Sequence, residues 1–409
     1  MPLTAEARER HAPWLRLVLT PGIGPATTRR LLEAFGLPED VLAAGHAKLS
    51  AVLGAPLAQA LLGPDEAREA AIEAALLWAQ GDACHLLCLD DPGYPPRLLE
   101  IADPPPLLFV HGDPAALQRP SIAIVGSRHA TQAGLAHARD FARTLAEAGL
   151  TVVSGLARGI DAAAHEGALG SAAGTLAVMG TGIDRVYPPA HRRLAHEISA
   201  NGALVSELPL GTGVQRANFP RRNRLIAGLS VATLVVEAAR QSGSLITARQ
   251  ASEAGREVMA IPGSIDSPLA KGCHRLIRDG AKLVESAEDV LVELRPILGV
   301  RRVPRTTAVA PAAGASDPAI GPGEAAVGPD DAAGGHRDST ADPADDRLLA
   351  ALGFDPADID ALTARTGLPV GEVSARLLGL ELQGRVERLV DGRYVVTAGS
   401  TGKLHRPCL

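Results

Sequence analysis

The sequence of 409 residues predicts an α/β fold whose central sheet is doubly wound and mostly parallel. Three observations lead to this class. Short apolar runs, each typical of a buried strand, recur between residues 121 and 261. Segments with helical periodicity separate these runs, and glycine-rich turns follow them. Strands that alternate with helices form parallel sheets covered on both faces, because each crossover places a helix against the sheet.

The elements of this region follow one another regularly. A β-like run at residues 107–111 precedes it. Strands are predicted at residues 122–125, 151–153, 174–179, 203–205, 232–237 and 257–261, and helices at residues 131–149 and 160–169. We assign residues 86–298 to this core domain.

The N-terminal region, residues 1–85, predicts a helical module. Two helical patterns are joined by the segment PGIGP at residues 21–25. Such a turn allows a tight hairpin whose amides can approach a phosphate, as in helix-hairpin-helix or SAM-like domains. A hairpin in a small helical bundle without any DNA contact explains the pattern equally well, because this region is net acidic.

The C-terminal third contains a linker and another module. Residues 299–343 are rich in Ala, Gly and Pro and have few large apolar side chains, so they predict a flexible linker. Residues 344–409 predict three helices, at 346–352, 358–366 and 370–383, and a hairpin around Asp391-Gly392. This is the pattern of a winged helix-turn-helix. Arg376 is the only basic residue of its third helix, which favours protein contact over duplex reading.

Composition excludes several classes of protein. The chain is 46% hydrophobic and 21% charged, with a mean hydropathy of +0.11, and lacks an uninterrupted apolar run of about 18 residues. The N-terminus also lacks the basic start and long apolar stretch of a secretory signal. We therefore expect a cytoplasmic protein without membrane association.

Charge is distributed unevenly along the chain. The net charge is −6, but residues 120–290 contain 18 basic and 15 acidic side chains, a net charge of +3. Residues 1–119 contain 9 basic and 15 acidic side chains, and residues 291–409 contain 13 basic and 16 acidic side chains. Attraction to an anionic polymer is thus expected in the core domain alone.

Four cysteines, at positions 84, 88, 273 and 408, are too few and too unevenly spaced for a disulfide framework or a Cys-rich zinc site. Cys84 and Cys88 are interpreted as small buried residues, and no metal is expected.

Glycine-rich loops follow four of the predicted strands. They are Gly126-Ser127-Arg128, Ser154 to Gly159, Gly180-Thr181-Gly182 and Gln241 to Ser244. The carboxyl ends of parallel strands meet at one edge, where backbone amides can bind anions. A dinucleotide fingerprint is missing, since Arg185 stands where a third glycine would be needed, and the sequence has no P-loop. We expect no cofactor. In any single loop, the glycines could be required only by the backbone conformation of the strand-to-helix turn.

The segment VQRANFPRRNRLIAGLS at residues 214–230 carries Arg216, Arg221, Arg222 and Arg224 around Phe219. Guanidinium groups favour phosphate oxygens, and a ring beside them can stack on a base. Four charges in nine residues are hard to bury, so these arginines are expected at the surface. Phe219 could instead be a buried anchor of its loop.

Asp161 and His165 lie four residues apart and could pair as a catalytic base and its orienting group. The favoured interpretation is structural: Asp161 caps the start of a helix and His165 packs against the sheet. Asp184 and Glu207 are the other titratable candidates, and we predict no catalytic residue, because no nucleophile or metal set accompanies them.

Several consecutive segments resemble the DNA-processing protein A family (DprA, also called Smf), over residues 100–290. They are SIAIVGSRHATQAG, VVSGLARGIDAAAHEGAL, GTLAVMGTGIDRVYPPAHRRL, GALVSELPLGT, FPRRNRLIAGLS, VVEAARQSGSLITARQASEAGREVMAIPG and KGCHRLIRDGAKLV. One departure is Gly272-Cys273-His274, where many members have asparagine after a glycine and a small residue; this leaves the role of His274 open.

The resemblance implies an extended Rossmann-like core that forms a homodimer. It also implies a single-stranded DNA-binding protein of natural transformation, which protects incoming DNA and helps load the RecA recombinase. Matched to the family motifs, the implied DNA contacts are Gly126, Ser127, Arg128, Ser154, Gly155, Arg158, Gly159, Arg216, Asn218, Phe219, Arg222, Asn223, Arg224, Ser242, Gly243 and Ser244.

Two other functions remain as alternatives. A nucleotide-processing enzyme similar to the phosphoribohydrolases would need Pro-Gly-Gly-x-Gly-Thr-x-x-Glu, and this chain has QSGSLIT there, without the paired glycines and the glutamate. A small-nucleotide sensor that signals through the winged helix is disfavoured by the few basic residues of that module.

Overall fold

The structure is a computed structural model that describes residues 5–298, 342–353, 356–389 and 392–396. The predicted linker at 299–343 lies almost entirely outside the described residues, as does Cys408.

Helices and strands alternate through the core and cluster at both ends of the chain. The helices are α1 (Ala5–Leu19), α2 (Pro25–Phe35), α3 (Pro38–Ala43), α4 (His46–Leu53), α5 (Ala55–Leu62), α6 (Glu66–Trp78), α7 (Gln132–Glu147), α8 (Ile160–Ala168), α9 (Arg192–Asn201), α10 (Asn218–Leu229), α11 (Ser244–Glu253), α12 (Lys271–Arg278), α13 (Ala287–Leu298), α14 (Pro343–Leu352), α15 (Ile359–Thr366) and α16 (Val370–Leu382). The strands are β1 (Cys84–Cys88), β2 (Leu107–Gly112), β3 (Ser121–Val125), β4 (Thr151–Ser154), β5 (Thr175–Val178), β6 (Ala203–Ser206), β7 (Ala232–Val235), β8 (Glu257–Ala260), β9 (Lys282–Leu283), β10 (Val386–Arg388) and β11 (Tyr394–Val396).

Nine of the described strands form one sheet in the order β1-β2-β6-β5-β4-β3-β7-β8-β9. The strands from β6 to β9 in this order are parallel, whereas β2 is antiparallel to β6 and β1 is antiparallel to β2. The mostly parallel, doubly wound sheet is therefore confirmed. The strand at Cys84–Cys88 was not predicted, and together with its partner β2 it extends the sheet beyond β6.

Helices cover both faces of the sheet. On one face, α7, α8 and α13 bury apolar side chains against β3, β4, β7 and β8. On the other face, the core includes Leu225, Ile226 and Leu229 of α10, whose spacing of three to four residues turns them toward the sheet. These side chains set the orientation of α10, which matters for the site below.

The N-terminal helices form a small core of their own, with Leu17, Leu31 and Leu49 at its centre. Helices α1 and α6 also share a core with the sheet, in which Trp14 and Leu76 are clustered with other apolar side chains. The predicted hairpin between α1 and α2 is confirmed. Cys88 is buried as expected, but Cys84 is partly exposed, because it lies at the start of an edge strand.

The C-terminal module has the predicted three helices and hairpin. Leu348, Leu362, Val373 and Leu377 pack together from α14, α15 and α16. Strands β10 and β11 pair antiparallel, with Val386 opposite Val396. This is the winged-helix arrangement.

Candidate nucleic-acid interface

The strand order places a topological switch point between β3 and β7. The chain runs from β3 outward to β6 on one side, then returns to β7 on the other side of β3. In open α/β sheets, ligands bind outside the carboxyl ends of the strands at such a point. The loops after β3, β4, β5 and β7, which carry the predicted glycines, follow the carboxyl ends of parallel strands and therefore lie at this edge.

Helix α10 joins these loops to one another. Its Arg222 side chain donates hydrogen bonds to the Gly155 carbonyl at 2.7 Å and to the Val178 carbonyl at 2.5 Å, which end β4 and β5. Its Asn223 side chain donates to the Gly243 carbonyl at 3.4 Å. The predicted loops are thus held around a single helix.

Two of the arginines predicted at the surface are buried. Arg222 is 4% exposed and Arg224 is 8% exposed. The expectation that four charges in nine residues would remain outside is wrong for these two. The physical reason is that α10 has protein on more than one side: Arg222 reaches the ends of β4 and β5, Arg224 reaches Asp103 and Glu207, and carbonyl and carboxylate oxygens accept their hydrogen bonds.

Arg222 and Asp161 form a buried electrostatic pair beneath the loop after β4. Burial lowers the pKa of Arg222 to about 10, while the nearby Asp161 opposes that shift. The Asp161 carboxylate accepts hydrogen bonds from the Gly155 amide at 3.1 Å and the Ala157 amide at 3.4 Å. Burial raises the pKa of Asp161, and the charge of Arg222 opposes that rise. Together these groups fix the loop that carries Arg158.

Arg224 is occupied by acidic partners. It contacts the buried Glu207 carboxylate, and its guanidinium lies 3.3 Å from the Asp103 carboxylate and 2.6 Å from the Asp103 carbonyl. Arg221 is half-exposed and lies 3.3 Å from Glu207. Burial raises the pKa of Glu207, against the effect of Arg224 and Arg221. This cluster anchors α10 to the segment before β2.

Arg128, Arg158 and Arg216 are exposed. Within the described residues, none of the three makes an ion pair or a side-chain hydrogen bond. The Arg128 guanidinium lies 5.8 Å from the centre of the Phe219 ring, a cation–π contact. Charges without acidic partners are available to phosphate groups. We call the edge that carries Arg128, Arg158, Arg216, Phe219 and Tyr187 the contact edge.

Phe219 is partly buried at the start of α10. Its ring centre lies 5.8 Å from that of Tyr187, with the planes tilted by 55°. A side chain at Gly180 would come within 2.8 Å of the Phe219 ring, so this glycine makes room for it. Sequence reasoning missed Tyr187. The signal was available, since Tyr187 is one of only ten aromatic residues and lies in the resembling segment.

The glycines of the first two loops allow close backbone approach. Gly159 has a φ of 77°, and a side chain there would come within 2.2 Å of the Ser127 carbonyl oxygen. A side chain at Gly126 would come within 2.6 Å of Ile160. Only glycine fits these positions without displacing the neighbouring loop. The Ser127 hydroxyl accepts the His129 amide at 3.1 Å, which tightens the turn.

The remaining predicted contacts differ in their accessibility. Ser154 is fully buried and donates to the Ile124 carbonyl at 2.6 Å, so it braces β3 against β4 and does not reach the surface. Asn218 is 9% exposed, and its amide nitrogen has no hydrogen-bond partner in the described part of the chain. The Ser242 and Ser244 hydroxyls lie 2.7 Å apart beside the exposed Gly243.

His165 is a satisfied core residue. Its Nε2 accepts the Leu156 amide at 3.3 Å and its Nδ1 donates to the Thr175 hydroxyl at 2.7 Å, which in turn donates to the Val152 carbonyl. Burial lowers the pKa of His165 to about 3. Asp161 and His165 therefore bind different backbone groups. His274 likewise has a structural partner, since its Nε2 lies 3.0 Å from the Gly263 carbonyl.

One group of possible metal ligands occurs in the described residues, at the end of β1. It consists of Cys88, Asp90 and Asp91, and His11 Nδ1 lies 3.4 Å from the Cys88 sulfur. Asp91 already accepts the Cys88 amide at 2.5 Å and pairs with Arg10. The carboxylate thus stabilises the turn after β1.

The described helices include none that is both long enough and apolar enough to cross a lipid bilayer.

Residues 85–295 match the family model described as DNA recombination-mediator protein A, and residues 333–392 match the DprA winged helix domain. The chain belongs to the DNA recombination-mediator protein A family. The resemblance noted from the sequence is confirmed. The family match covers the sheet from the second residue of β1 to β9, including the contact edge.

Relatives of the DNA recombination-mediator protein A family are similar over half of the chain or more. Protein Smf of Synechocystis is 36% identical over 405 residues, which cover 95% of this chain and 99% of that protein. The DNA processing protein DprA of Streptococcus pneumoniae is 48% identical over 205 residues, which cover 50% of this chain and 72% of that protein. The X-ray structure of the Streptococcus pneumoniae protein superposes with a TM-score of 0.61 at 36% identity, covering 72% of this chain and 99% of that chain.

Proposed function

We propose that the protein binds single-stranded DNA along the contact edge and acts as a mediator of recombination. In this role it protects the incoming strand in natural transformation and helps load the RecA recombinase onto it. One observation carries the proposal: the exposed Arg128 lies over the ring of Phe219, that ring adjoins Tyr187, and Arg158 and Arg216 are exposed in segments of the same region without an ion-pair partner among the described residues. Membership of a family named for recombination mediation supports it.

The contact edge suits a single strand more than a duplex. Arginines can bind phosphates of any sequence, and a base can stack on an exposed ring only when it is unpaired. Tyr187 offers such a ring, and the partly buried Phe219 lies beside it with Arg128 over the Phe219 ring. Stacking of this kind is worth about 1 to 3 kcal/mol per base. Binding should therefore be tight but show little base preference.

We assign two roles to the predicted site residues. Arg128, Arg158, Arg216 and Phe219, with the exposed parts of the glycine and serine loops, contact the strand. The other group consists of buried or bonded residues that position the loops: Ser154, Gly155, Asn218, Arg222, Asn223 and Arg224.

The test is oligonucleotide binding measured by fluorescence anisotropy. Wild type should prefer labelled oligothymidylate to a duplex of equal length, with a log-log salt slope of about −0.7 per phosphate neutralised. The variants R128A and F219A, and the double variant R158A/R216A, should each lower affinity by about tenfold or more. Preference for duplex, or affinity that does not change with salt, would contradict the proposal.

R143A is a matched control for the arginine variants. Arg143 is exposed and pairs with Asp140 on α7, near the helix end that returns to the opposite edge of the sheet. The substitution removes one positive charge, as R128A does, but away from the contact edge. It should leave affinity within about twofold of wild type, because the two edges are separated by more than a Debye length of roughly 8 Å at physiological salt. An equal loss in R143A and R128A would show a general charge effect.

The partner proposals need their own measurements. RecA loading predicts that the protein speeds RecA assembly on strands already coated with single-strand binding protein, and an unchanged rate would remove this role.

A homodimer through the core is supported by the open edge of the sheet at β9, where Leu283 is half-exposed. Light scattering of the full chain should give twice the monomer mass, and a monomer at micromolar concentration would contradict this proposal.

The enzyme alternative remains testable. A phosphoribohydrolase would release free base from nucleoside monophosphates, and no release over hours would leave it without support. The geometry disfavours the acid–base pair proposed from sequence, since Asp161 binds loop amides while His165 binds Leu156 and Thr175.

A further inference from the structure

A groove of about 600 Å³ runs beside α9 and opens at the contact edge. We call it the α9 groove. Six of its lining residues carry the inference: Trp78, His111, Asp184, Tyr187, Arg192 and His196. They come from the end of α6, from β2, from the loop after β5 and from α9 itself. The site residues predicted from the family motifs do not include any of them.

The groove leads away from the contact edge along the sheet. Helix α9 runs antiparallel to its neighbour β6, so Arg192 in its first turn lies toward the contact edge. Ser199, near the other end of α9, lies by the start of β6, because its carbonyl approaches Gly112, which pairs with Ala203. Arg192 and Ser199 are seven positions apart, a separation of about 10 Å along the helix axis. This length accommodates a nucleotide unit entering from the edge.

Tyr187 joins the groove to the contact edge. Its side chain is 43% exposed and lines the mouth of the groove, and its ring lies 5.8 Å from that of Phe219. A DNA strand held at Phe219 therefore lies next to Tyr187 at the mouth of the groove. The two surfaces form one continuous track.

The chemistry of the lining matches a nucleotide. Trp78 and Tyr187 supply aromatic surface for a base. Burial lowers the pKa of His111, helped by the nearby His196 and His85, so this imidazole is neutral and can hydrogen-bond to a base edge. Arg192 is exposed at the rim and makes no ion pair or side-chain hydrogen bond to any described residue. It is free to bind a phosphate.

The groove also contains one carboxylate, Asp184, at its mouth. Both of its oxygens accept the Gly211 amide, at 2.9 and 3.0 Å, and Arg185 lies 4.0 Å away. The charge of this carboxylate is thus engaged by the loop and by a neighbouring cation. Its repulsion of an anion at the mouth is therefore reduced.

From these observations we infer that the α9 groove is a second nucleotide subsite, which takes a nucleotide of the same strand that the contact edge binds. The base lies between the aromatic groups and the imidazoles, and Arg192 pairs with the adjoining phosphate. The inference rests on the proposed function, because a strand must first lie along the contact edge.

The experiment uses tryptophan fluorescence of the full chain. The protein has two tryptophans, and Trp14 is buried in the core, so W14F leaves Trp78 as the sole reporter. Oligothymidylates of increasing length are titrated into this variant while anisotropy of a labelled oligonucleotide reports binding. Trp78 itself is retained, because its ring contacts Phe109 and its removal could unfold the site. Trp78 emission should change only with oligonucleotides long enough to pass from the contact edge into the groove.

R192A and R193A provide a matched pair of variants. Arg193 is the next residue of α9, with a side chain 91% exposed, but it does not line the groove. For the longer oligonucleotides, R192A should lower affinity by about fivefold or more and reduce the log-log salt slope by about 0.7, which corresponds to one lost phosphate contact. For the shortest oligonucleotides that bind, R192A and R193A should both equal wild type.

Each outcome separates this inference from the proposed function. Tight binding with unchanged Trp78 emission at all lengths, or equal affinities of R192A and R193A for long strands, overturns the groove subsite and leaves the contact edge intact. Failure of all oligonucleotides to bind overturns both. A change in Trp78 emission with free thymidine monophosphate but not with the oligonucleotides would mean that the groove takes a free nucleotide, and this also overturns the inference.

Discussion

Arg222 lies inside the protein, and its role can be separated from that of the exposed arginines. Its hydrogen bonds to Gly155 and Val178, together with the buried charge of Asp161, fix the ends of β4 and β5. Removing one partner of a buried pair leaves an uncompensated charge. The guanidinium of Arg128, in contrast, is exposed, so its removal should weaken DNA binding without destabilising the fold.

We therefore expect R222M to destabilise the fold by about 3 to 5 kcal/mol, because Asp161 would stay buried without its cation. Urea denaturation of the full chain would measure this loss. R143A, a surface substitution, should change stability by less than about 0.5 kcal/mol. An R222M variant of wild-type stability that has lost strand affinity would show instead that Arg222 reaches the DNA.

His165 predicts a dependence of stability on pH. Its pKa in the folded protein is about 3, below the usual value of 6.5, because burial disfavours the charged ring. A depressed pKa contributes stability that is complete above pH 6.5 and is lost as the pH falls toward 3. This contribution changes by about 1.4 kcal/mol per pH unit inside that window.

The measurement is the free energy of unfolding at pH 7 and pH 5 for wild type and H165N. Wild type should lose about 2 kcal/mol more than the variant over this interval. The comparison is needed because the raised pKa values of Asp161 and Glu207 act in the opposite direction at acidic pH. Equal slopes for the two proteins would mean that His165 titrates normally.

At the scale of elements, α10 decides how the site is built. One face carries Leu225, Ile226 and Leu229 into the core, and its first turn places Phe219 over Gly180. The helix therefore couples packing of the sheet to the position of the stacking ring. A substitution at Gly180 should therefore affect DNA binding through the position of the Phe219 ring.

We expect G180A to weaken strand binding by about three- to tenfold, because the added methyl group would come within 2.8 Å of Phe219 and displace it. Anisotropy titrations of G180A, F219A and the double variant form a thermodynamic cycle. In the F219A background, G180A should have no further effect, since the ring that it displaces is absent. Additive losses would show that Gly180 acts independently of the ring.

The strands of the core could be predicted from the sequence, and α10 could not. Each run from β3 to β8 is apolar, short and bounded by turn residues or helical segments, and these local features identified it. The segment at residues 214–230 was read by its charges, although Leu225, Ile226 and Leu229 have helical spacing. The burial of Arg222 depends on the carbonyls of residues 155 and 178, and the burial of Arg224 depends on Glu207. Most of these partners are distant from α10 in the sequence. Only the fold brings these groups together.

At the scale of the whole molecule, the core domain and the winged-helix module differ in the sign of their net charge. Residues 342–396 carry six arginines and ten carboxylates, a net charge of −4, whereas residues 120–290 carry +3. In the winged helix, Arg376 of α16 pairs with Asp342 and Asp345 at 2.8 Å and with Glu372 at 3.1 Å. The helix that would enter a major groove thus has its basic side chain neutralised, which supports a protein partner for this module.

Deletion of residues 299–409 should consequently spare strand binding. The contact edge lies wholly within residues 126–219, and the removed segment, residues 299–409, contains 12 Lys and Arg against 15 Asp and Glu. Its loss therefore removes no net attraction for phosphates. The truncated chain, checked for folding by its urea transition, should bind oligothymidylate within about threefold of the full chain and with the same salt slope. A loss of more than about tenfold with an intact transition would place part of the strand on the winged helix, and the neutralisation of Arg376 would then have to be relieved when DNA binds.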